Sequence, residues 1–542
     1  MNTLSLVGND VYTDLEFFNS FENDDNETII KVFNEFTPNK SSFDYIKNEL
    51  LYPIYDIESL KDRQNKLKQI EEIYNNNIDQ VESLLQIIKG NENDIISLYK
   101  KTENSDVVDI MDMVFFQSKV FNYLNFNNKG SLLTLKNVYN IIIGPSIGII
   151  SPIFYILSPY LILKYKFKFK IPIILFIKVL FKTILNVTST GVKRILFLSL
   201  FTYGLSIFIY IQGLINSYEL AKNTFKVTKH IVNKMTNVYS YLDACKSLNV
   251  LFKNENSKFS NMLAHLSKVK LSFLNFGEKL SHFKKINLIE LEEYIQSTNI
   301  ILSKIVYTKL IKKYDMCYTN FIESNETYIS AEQIYHFSIK NAVKNNFSLE
   351  ANNCIITGPN AAGKSTFMKA IALNIVLSQT IGIASANKFD ITPFYYINTQ
   401  INIPDCKGKQ SLFEAEMYRC KYNIDIVTTL PKDKKAFILM DEVFNSTNVI
   451  EGISGSYAIL ERMSRLSNVC TLVTTHYLYL AKLKHFSKYK MNVKYIDDNI
   501  TYPYILNKGI SKQLVALELL KENFDNEILD IAINIKNKLI NV

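Results

Sequence analysis

The chain has 542 residues, 47% of them hydrophobic, which leaves room for several domains and excludes a single small module. A net charge of +9 invites an anionic partner, nucleic acid or membrane, yet only five of the 61 basic residues are arginine and tryptophan is absent. That usage is typical of an A/T-rich genome, so the placement of lysines carries more weight than their total. The six cysteines, Cys245, Cys317, Cys354, Cys406, Cys420 and Cys470, lie far apart with no C-x-x-C. They exclude a disulfide scaffold and a zinc ribbon, and they read as reduced intracellular thiols. The N-terminus lacks a basic stretch followed by a sustained apolar run, so no signal peptide is expected.

From Thr28 to Tyr74 apolar and charged positions alternate at helical spacing. Asn137 to Leu163 then runs 27 residues without a charge, and Ile195 to Tyr218 another 24. At about 1.5 Å per residue either run exceeds the ~30 Å hydrocarbon core of a bilayer. Between them, Lys164 to Arg194 holds eight basic and no acidic residues. Two membrane helices joined by a basic segment is one reading; an apolar hairpin buried in a core or a dimer interface is the other. Pro145, Pro152 and Pro159 interrupt the first run, which membrane helices tolerate better than soluble ones. Two spans would put the basic loop on the far side, against the positive-inside rule, unless Ile171 to Leu185 is an interfacial or re-entrant helix. From Glu219 to Lys313 amphipathic, lysine-rich helices return. Their lysines suit either a phosphate-binding surface or an ordinary solvated face.

Beyond Tyr328 short strands are expected, leading to the apolar Cys354-Ile355-Ile356 and the loop Thr357-Gly358-Pro359-Asn360-Ala361-Ala362-Gly363-Lys364-Ser365-Thr366. Gly358 with Gly363-Lys364-Ser365 fits G-x-x-x-x-G-K-[ST], in which backbone N–H groups and a helix N-terminus face nucleotide phosphates. Lys364 then neutralises the β and γ phosphates and the Ser365 hydroxyl reaches Mg²⁺. Ala436 to Glu442 is an apolar run ending in two carboxylates, as a strand buried on both faces of a parallel sheet would be. Asp441 is placed for the Mg²⁺ shell, and Glu442, facing elsewhere because strand side chains alternate, for the attacking water. A second run, Val469 to Thr475, ends at His476, suited to sensing the γ-phosphate because several phosphate elements end at one sheet edge.

These residues resemble the ATPase domain of the MutS mismatch-repair family, within the ABC/SMC class. The loop Thr357 to Thr366, Ile381-Gly382-Ile383-Ala384-Ser385-Ala386, Ser411-Leu412-Phe413-Glu414-Ala415-Glu416-Met417, Asp441-Glu442-Val443 with Ser446-Thr447, and Thr474-Thr475-His476-Tyr477 follow the family's order. Ala362 stands where the family usually has glycine, and Phe444-Asn445 where it has Gly-Arg. Thr37, Leu50-Leu51-Tyr52-Pro53, Asp56, Leu60 and Arg63-Gln64 are similar to the start of its core and lever region. His336, Val343-Lys344-Asn345-Asn346 and Tyr504 to Ser511 resemble segments around its adenine site and closing hairpin.

The resemblance implies ATP and Mg²⁺ as cofactors, a homodimer in which Ser411 faces the partner's nucleotide, and a clamp closing on mismatched or branched DNA. With a core beginning near residue 30, the N-terminal mismatch-reading and connector domains have no counterpart, so DNA contact would rely on shape and backbone. The expected fold is a helical core and lever with a transmembrane hairpin, followed by an α/β P-loop domain. The expected divisions are 1–130 (core and lever), 131–218 (apolar insertion, with membrane contact through 137–218), 219–325 (returning lever and clamp) and 326–542 (ATPase with a dimerising helical tail). The rival is a membrane-anchored mechanical ATPase acting on a protein or lipid. A transporter subunit is disfavoured, since no L-S-G-G-Q is visible and Lys364 and Asp441 lie only 77 residues apart. An intracellular location, membrane-associated with the ATPase on the cytosolic or nuclear side, is expected.

Overall fold

The computed structural model describes residues 4–20, 28–99, 113–187, 193–253, 276–286, 288–349, 352–401, 412–496, 499–513, 515, 517 and 526–540. The chain divides into two compact units, one of residues 1–82, 251–254 and 296–542, the other of 83–250 and 255–295.

The first unit is built on a seven-stranded sheet: β1 (Leu6–Val7), β2 (Asn353–Thr357), β3 (Tyr396–Gln400), β4 (Ala436–Asp441), β5 (Val469–Thr475), β6 (Phe486–Met491) and β7 (Leu506–Lys508). Their spatial order is β1-β3-β4-β5-β2-β6-β7. All neighbours are parallel except β6 and β7. Phe437, Ile438, Leu439 and Met440 in β4 and Cys354, Ile355 and Ile356 in β2 are fully buried. This is why these strands read as unbroken apolar runs: both faces are covered. Helix α1 (Lys364–Ile381) buries nearly its whole length, while α2 (Leu412–Thr429) and α3 (Val449–Ser464) bury one side each. A four-stranded sheet carries Ile329–Ile334 and Asn345–Ser348 as expected, and the strands Lys494–Ile496 and Asn499–Thr501 form the expected hairpin. Helix Asn526–Ile540 is present, whereas most of the expected helix 514–520 lies outside the described residues.

The compact units are drawn differently from two of the expected divisions. Residues 1–82 fall within the unit that holds the ATPase sheet. Leu6 and Val7 pair with Tyr396 and Ile397, Ile54 N–H donates to the Gln379 carbonyl at 2.7 Å, and Gln64 donates to the carbonyls of Thr319 and Gly382 at 2.7 Å each. Gly382, with φ +80°, ends α1 by giving its N–H to Leu377 and Ser378, so Gln64 reaches a carbonyl that helix geometry leaves open. Residues 131–218, the expected insertion, fall within the second, helical unit of residues 83–250 and 255–295.

In that second unit, Gly130–Val138 packs so closely on Phe276–Lys285 that a Cβ on Gly277 would lie 1.9 Å from the Gly130 carbonyl oxygen. Asn137, expected to open the first uncharged run, is fully buried and donates to the Leu133 and Val114 carbonyls at 2.9 and 3.2 Å. Its neighbours Leu135 and Val138 are exposed, so this turn of the helix has one buried and one open side. Helical structure continues from Gly130 through a π-turn (Tyr139–Ile143), an α-helix (Gly144–Leu161) and a second π-turn (Ile162–Lys166). Pro145 follows the first π-turn, whose wider ring accommodates a residue lacking the N–H. The second run shows no break at Tyr218, since a single helix extends from Lys193 to Leu251. Among the described residues one stretch, Gly130–Phe154, is long and apolar enough to cross a membrane; the side chains of residues 195–203, in the second expected run, lie outside the description.

Candidate functional site

The loop between β2 and α1 turns on alternating backbone hands. Ala361 has φ +62° and Gly363 φ +92°, which turns successive N–H groups toward one side as an anion-binding nest. Ala362, which replaces the family's glycine, does not adopt a positive φ and is buried, so its Cβ is accommodated. Gly358 is constrained instead by space: a Cβ there would lie 2.3 Å from the Met491 carbonyl oxygen. No side chain caps α1 at Gly363, so its first-turn N–H groups and the positive end of its dipole remain for a ligand.

Lys364 is 4% exposed, and its Nζ donates to the Gly358 and Pro359 carbonyls at 3.0 and 3.1 Å. It also lies 3.4 Å from Glu442 Oε1. Asp441 ends β4 beside Thr474 of β5, whose hydroxyl donates to it. Glu442 leaves the strand with φ +46°, its N–H bonded to the Thr474 carbonyl at 3.2 Å, and this turn aims its carboxylate at Lys364. Asn445 Nδ2 donates to Glu442 Oε2 at 3.1 Å, and His476 Nδ1 stands 3.8 Å from the same oxygen. His476 and then Lys364 hold the Glu442 carboxyl below its ordinary range against the opposing effect of burial, so it is anionic at neutral pH.

Asn360, Ala361, Gly363, Lys364, Ser365, Thr366, Asp441 and Glu442 all line one cavity of about 870 Å³. Its volume lies in the range of small-molecule sites. His476 flanks it through Glu442, and Ser411 lies outside the described residues. The cavity's other wall carries residues whose individual motifs are too loose to stand out in sequence. Tyr504, in a left-handed conformation (φ +54°), stacks on Tyr502 at 6.2 Å and leans over Gly363. Asn345 fixes that stretch by donating to the Tyr504 carbonyl (3.0 Å) and accepting from the Leu506 N–H (2.7 Å). His336, bonded to Ser338 at 3.0 Å, is pushed down to about 4 by burial and by Lys369, so it faces the cavity as a neutral ring. Gln400 and Glu416 complete the wall, and burial raises the Glu416 carboxyl while the Ser446 hydroxyl opposes the rise.

The donors suit a nucleoside triphosphate carrying one divalent cation. Ser365 and Asp441 offer a hydroxyl and a carboxylate to the same cavity, and no cluster of three or more His, Cys, Asp or Glu among the described residues could hold a metal alone. Mg²⁺ is ordinarily held in that way, by one or two protein oxygens together with substrate phosphates.

A parallel sheet with a phosphate loop at its edge, a carboxylate pair at the tip of the neighbouring strand but one and a histidine beyond the strand between defines an ATPase domain of the ABC class. Residues 354–540 match the family model of MutS domain V, the ATPase domain of the MutS family. It is 32% identical over 204 residues to a DNA mismatch repair protein MutS of Persephonella marina, covering 36% of this chain and 23% of that protein. To a MutS of Clostridium kluyveri it is 33% identical over 194 residues (34% and 22%), and to DNA mismatch repair protein MSH3 of Saccharomyces cerevisiae 26% over 305 residues (48% and 29%). The matched segments thus span less than a third of those relatives' length.

Proposed function

We propose that the protein is an ATP-driven dimeric switch of MutS type whose closure and opening act on DNA, recognising the shape of mismatched or branched duplexes. The observation that carries this reading is the convergence of Lys364, Ser365, Asp441 and Glu442 on one cavity at an uncapped helix N-terminus. Lys364 takes the β and γ phosphates in exchange for its bond to Glu442. That exchange frees the Glu442 carboxylate to accept a proton from the attacking water, while Asn445 and His476 fix its orientation. Mg²⁺, held by Ser365 and Asp441, would draw charge from the phosphate oxygens. Tyr504 offers a π face to the base, and Ser411 of a second copy would complete the site.

The DNA reading rests on the family relation and on the lysines between Glu219 and Lys313, and the test is direct. Glu442→Gln should bind ATP with near-normal affinity yet hydrolyse it roughly 10²-fold more slowly, accumulating an ATP-bound dimer. That dimer should hold branched or mismatched duplex more tightly than plain duplex, with affinity falling steeply as salt rises. Equal, salt-insensitive binding to all three sinks the DNA reading and leaves the second one, a mechanical ATPase working on a protein or lipid partner. The exposed apolar residues of 138–179 and 205–218, among those described, favour that alternative.

A further inference from the structure

We propose that the helical segments 139–166 and 195–218 cross a lipid bilayer side by side and anchor the protein, with the lysines at 164–170 at the distal headgroup boundary. The stretch is exposed where a core helix would be buried: only 6% of the apolar window within Gly130–Phe154 is covered. Ile149 and Phe154 are 61% and 65% exposed, and in the second helix Ile207, Phe208 and Ile209 are 59%, 63% and 61% exposed. Three consecutive helical residues at about 100° apart sweep some 200° of circumference, more than one docked protein face covers. A solvent that surrounds the helix is required, and water is excluded by the area left open.

Three hydroxyl groups on these helices find acceptors within the pair, as hydrocarbon demands. Ser146 and Ser151 hydroxyls donate to the Ile142 and Gly148 carbonyls at 2.7 and 3.0 Å. Tyr210 OH crosses from the second helix to the same Gly148 carbonyl at 2.9 Å. Gly148 lies at this crossing, where a Cβ would sit 3.4 Å from Leu214 Cδ2, close to van der Waals contact. Small residues at a close crossing and an interhelical hydrogen bond are how helices associate where lipid gives no hydrophobic drive.

The length matches as well. Tyr139 to Leu163 is charge-free and helical, roughly 37 Å at 1.5 Å per residue, against a ~30 Å hydrocarbon core. At its far end come Lys164, Tyr165, Lys166, Lys168 and Lys170, with Lys164 Nζ 5.7 and 5.6 Å from the Tyr160 and Tyr165 ring centres. Lysines and tyrosines collect at a headgroup boundary, and although a distal basic cluster runs against the positive-inside bias, ammonium groups there cannot stop within the hydrocarbon. At the near end Asn137 is locked into the helical body, and on the second helix charges resume at Glu219 and Lys222. Helix Ile173–Val187, with Lys178 and Lys182 four residues apart and Ile174, Leu175 and Val179 exposed, would lie in the distal interface.

The full chain, expressed in bacteria, provides the test. It should remain in the membrane pellet after alkaline carbonate extraction and float with lipid. A Lys166→Cys variant in intact spheroplasts should react with a membrane-impermeant maleimide at least fivefold above the wild-type background. The pair Ile147→Arg and Phe208→Arg should lower the carbonate-resistant fraction at least tenfold while ATPase turnover in detergent stays within twofold. Carbonate release of lipid-free protein, in which the face is covered by another copy or by the core, would overturn the proposal. So would an unchanged pellet fraction in the double variant, or labelling of residue 166 only after lysis, the mark of an in-plane helix. Lys364→Ala, silent in ATPase assays but still carbonate-resistant, keeps this outcome separate from that of the ATPase reading.

Discussion

In the proposed function, Lys364 is the residue for which phosphate would compete with groups of the protein. Buried against two loop carbonyls and the Glu442 carboxylate, its charge is compensated before any nucleotide arrives. Lys364→Ala should weaken ATP binding at least about tenfold, ~1.4 kcal/mol, read by titration with a fluorescent nucleotide, and unchanged affinity would refute the assignment. A second residue matters from the opposite end of the chain. Asp14, 2% exposed, accepts from Thr399 Oγ1 at 2.8 Å and from the Ile401 N–H at 3.0 Å, with Arg419 at 3.6 Å, so it holds the end of β3 that carries Gln400 to the cavity. Burial, only partly offset by Arg419, lifts its carboxyl from 3.8 to about 6. Since the folded value is raised, its contribution to stability is full below the unfolded value of 3.8 and is lost as pH climbs through about 6. Asp14→Asn should therefore gain stability relative to the wild type across that interval, by roughly 2–3 kcal/mol at most, measured by denaturant unfolding from pH 4 to 7. A pH-independent difference would place the proton elsewhere.

At the scale of elements, the site is a set of junctions where regular structure stops. The phosphate loop is wedged between β2 and β6, and Gly358 is its tightest point. Gly358→Ala should push the loop off the Met491 carbonyl and cost both thermal stability and ATP affinity; preserved affinity in a calorimetric titration would show that the loop tolerates the shift. Beyond β4, Phe444 holds φ +57° where glycine would be unstrained, at a cost on the order of 1–2 kcal/mol. Its ring is buried against Phe413 at 5.2 Å and lies beside Gly455, where a Cβ would come within 3.0 Å of it. The aromatic contact offsets the strain, which is how a chain with Phe in place of the family's Gly keeps the turn.

For the molecule as a whole, the cavity has a wall from β3 and α2 but the chain between them, which includes Ser411, lies outside the described residues. If Ser411 serves the partner's nucleotide, mixing Ser411→Arg with Lys364→Ala chains should yield a heterodimer with one intact and one doubly defective site. ATPase recovery toward half the wild-type rate is expected. Its failure in mixtures shown to exchange subunits would mean the site is complete in one chain.

That Lys364, Ser365, Asp441 and Glu442 meet at one cavity was legible in the sequence because the signals are short-range. A glycine loop, an apolar run ending in Asp441-Glu442 and another ending at His476 each carry their own signal, and sheet physics brings such strand ends to one edge. The helix after the loop and the exposed apolar runs were likewise written in spacing and charge. What only the tertiary structure decided is long-range. Leu6-Val7 became an edge strand of the ATPase sheet and Asp14 a support for β3, across some 390 residues of chain, because two apolar residues and one carboxylate have no pattern until their partners are in place. Asn137 looked like the start of an uncharged run and is instead a pinned core residue, since burial and hydrogen-bond partners are properties of the packed neighbours rather than of the residue itself.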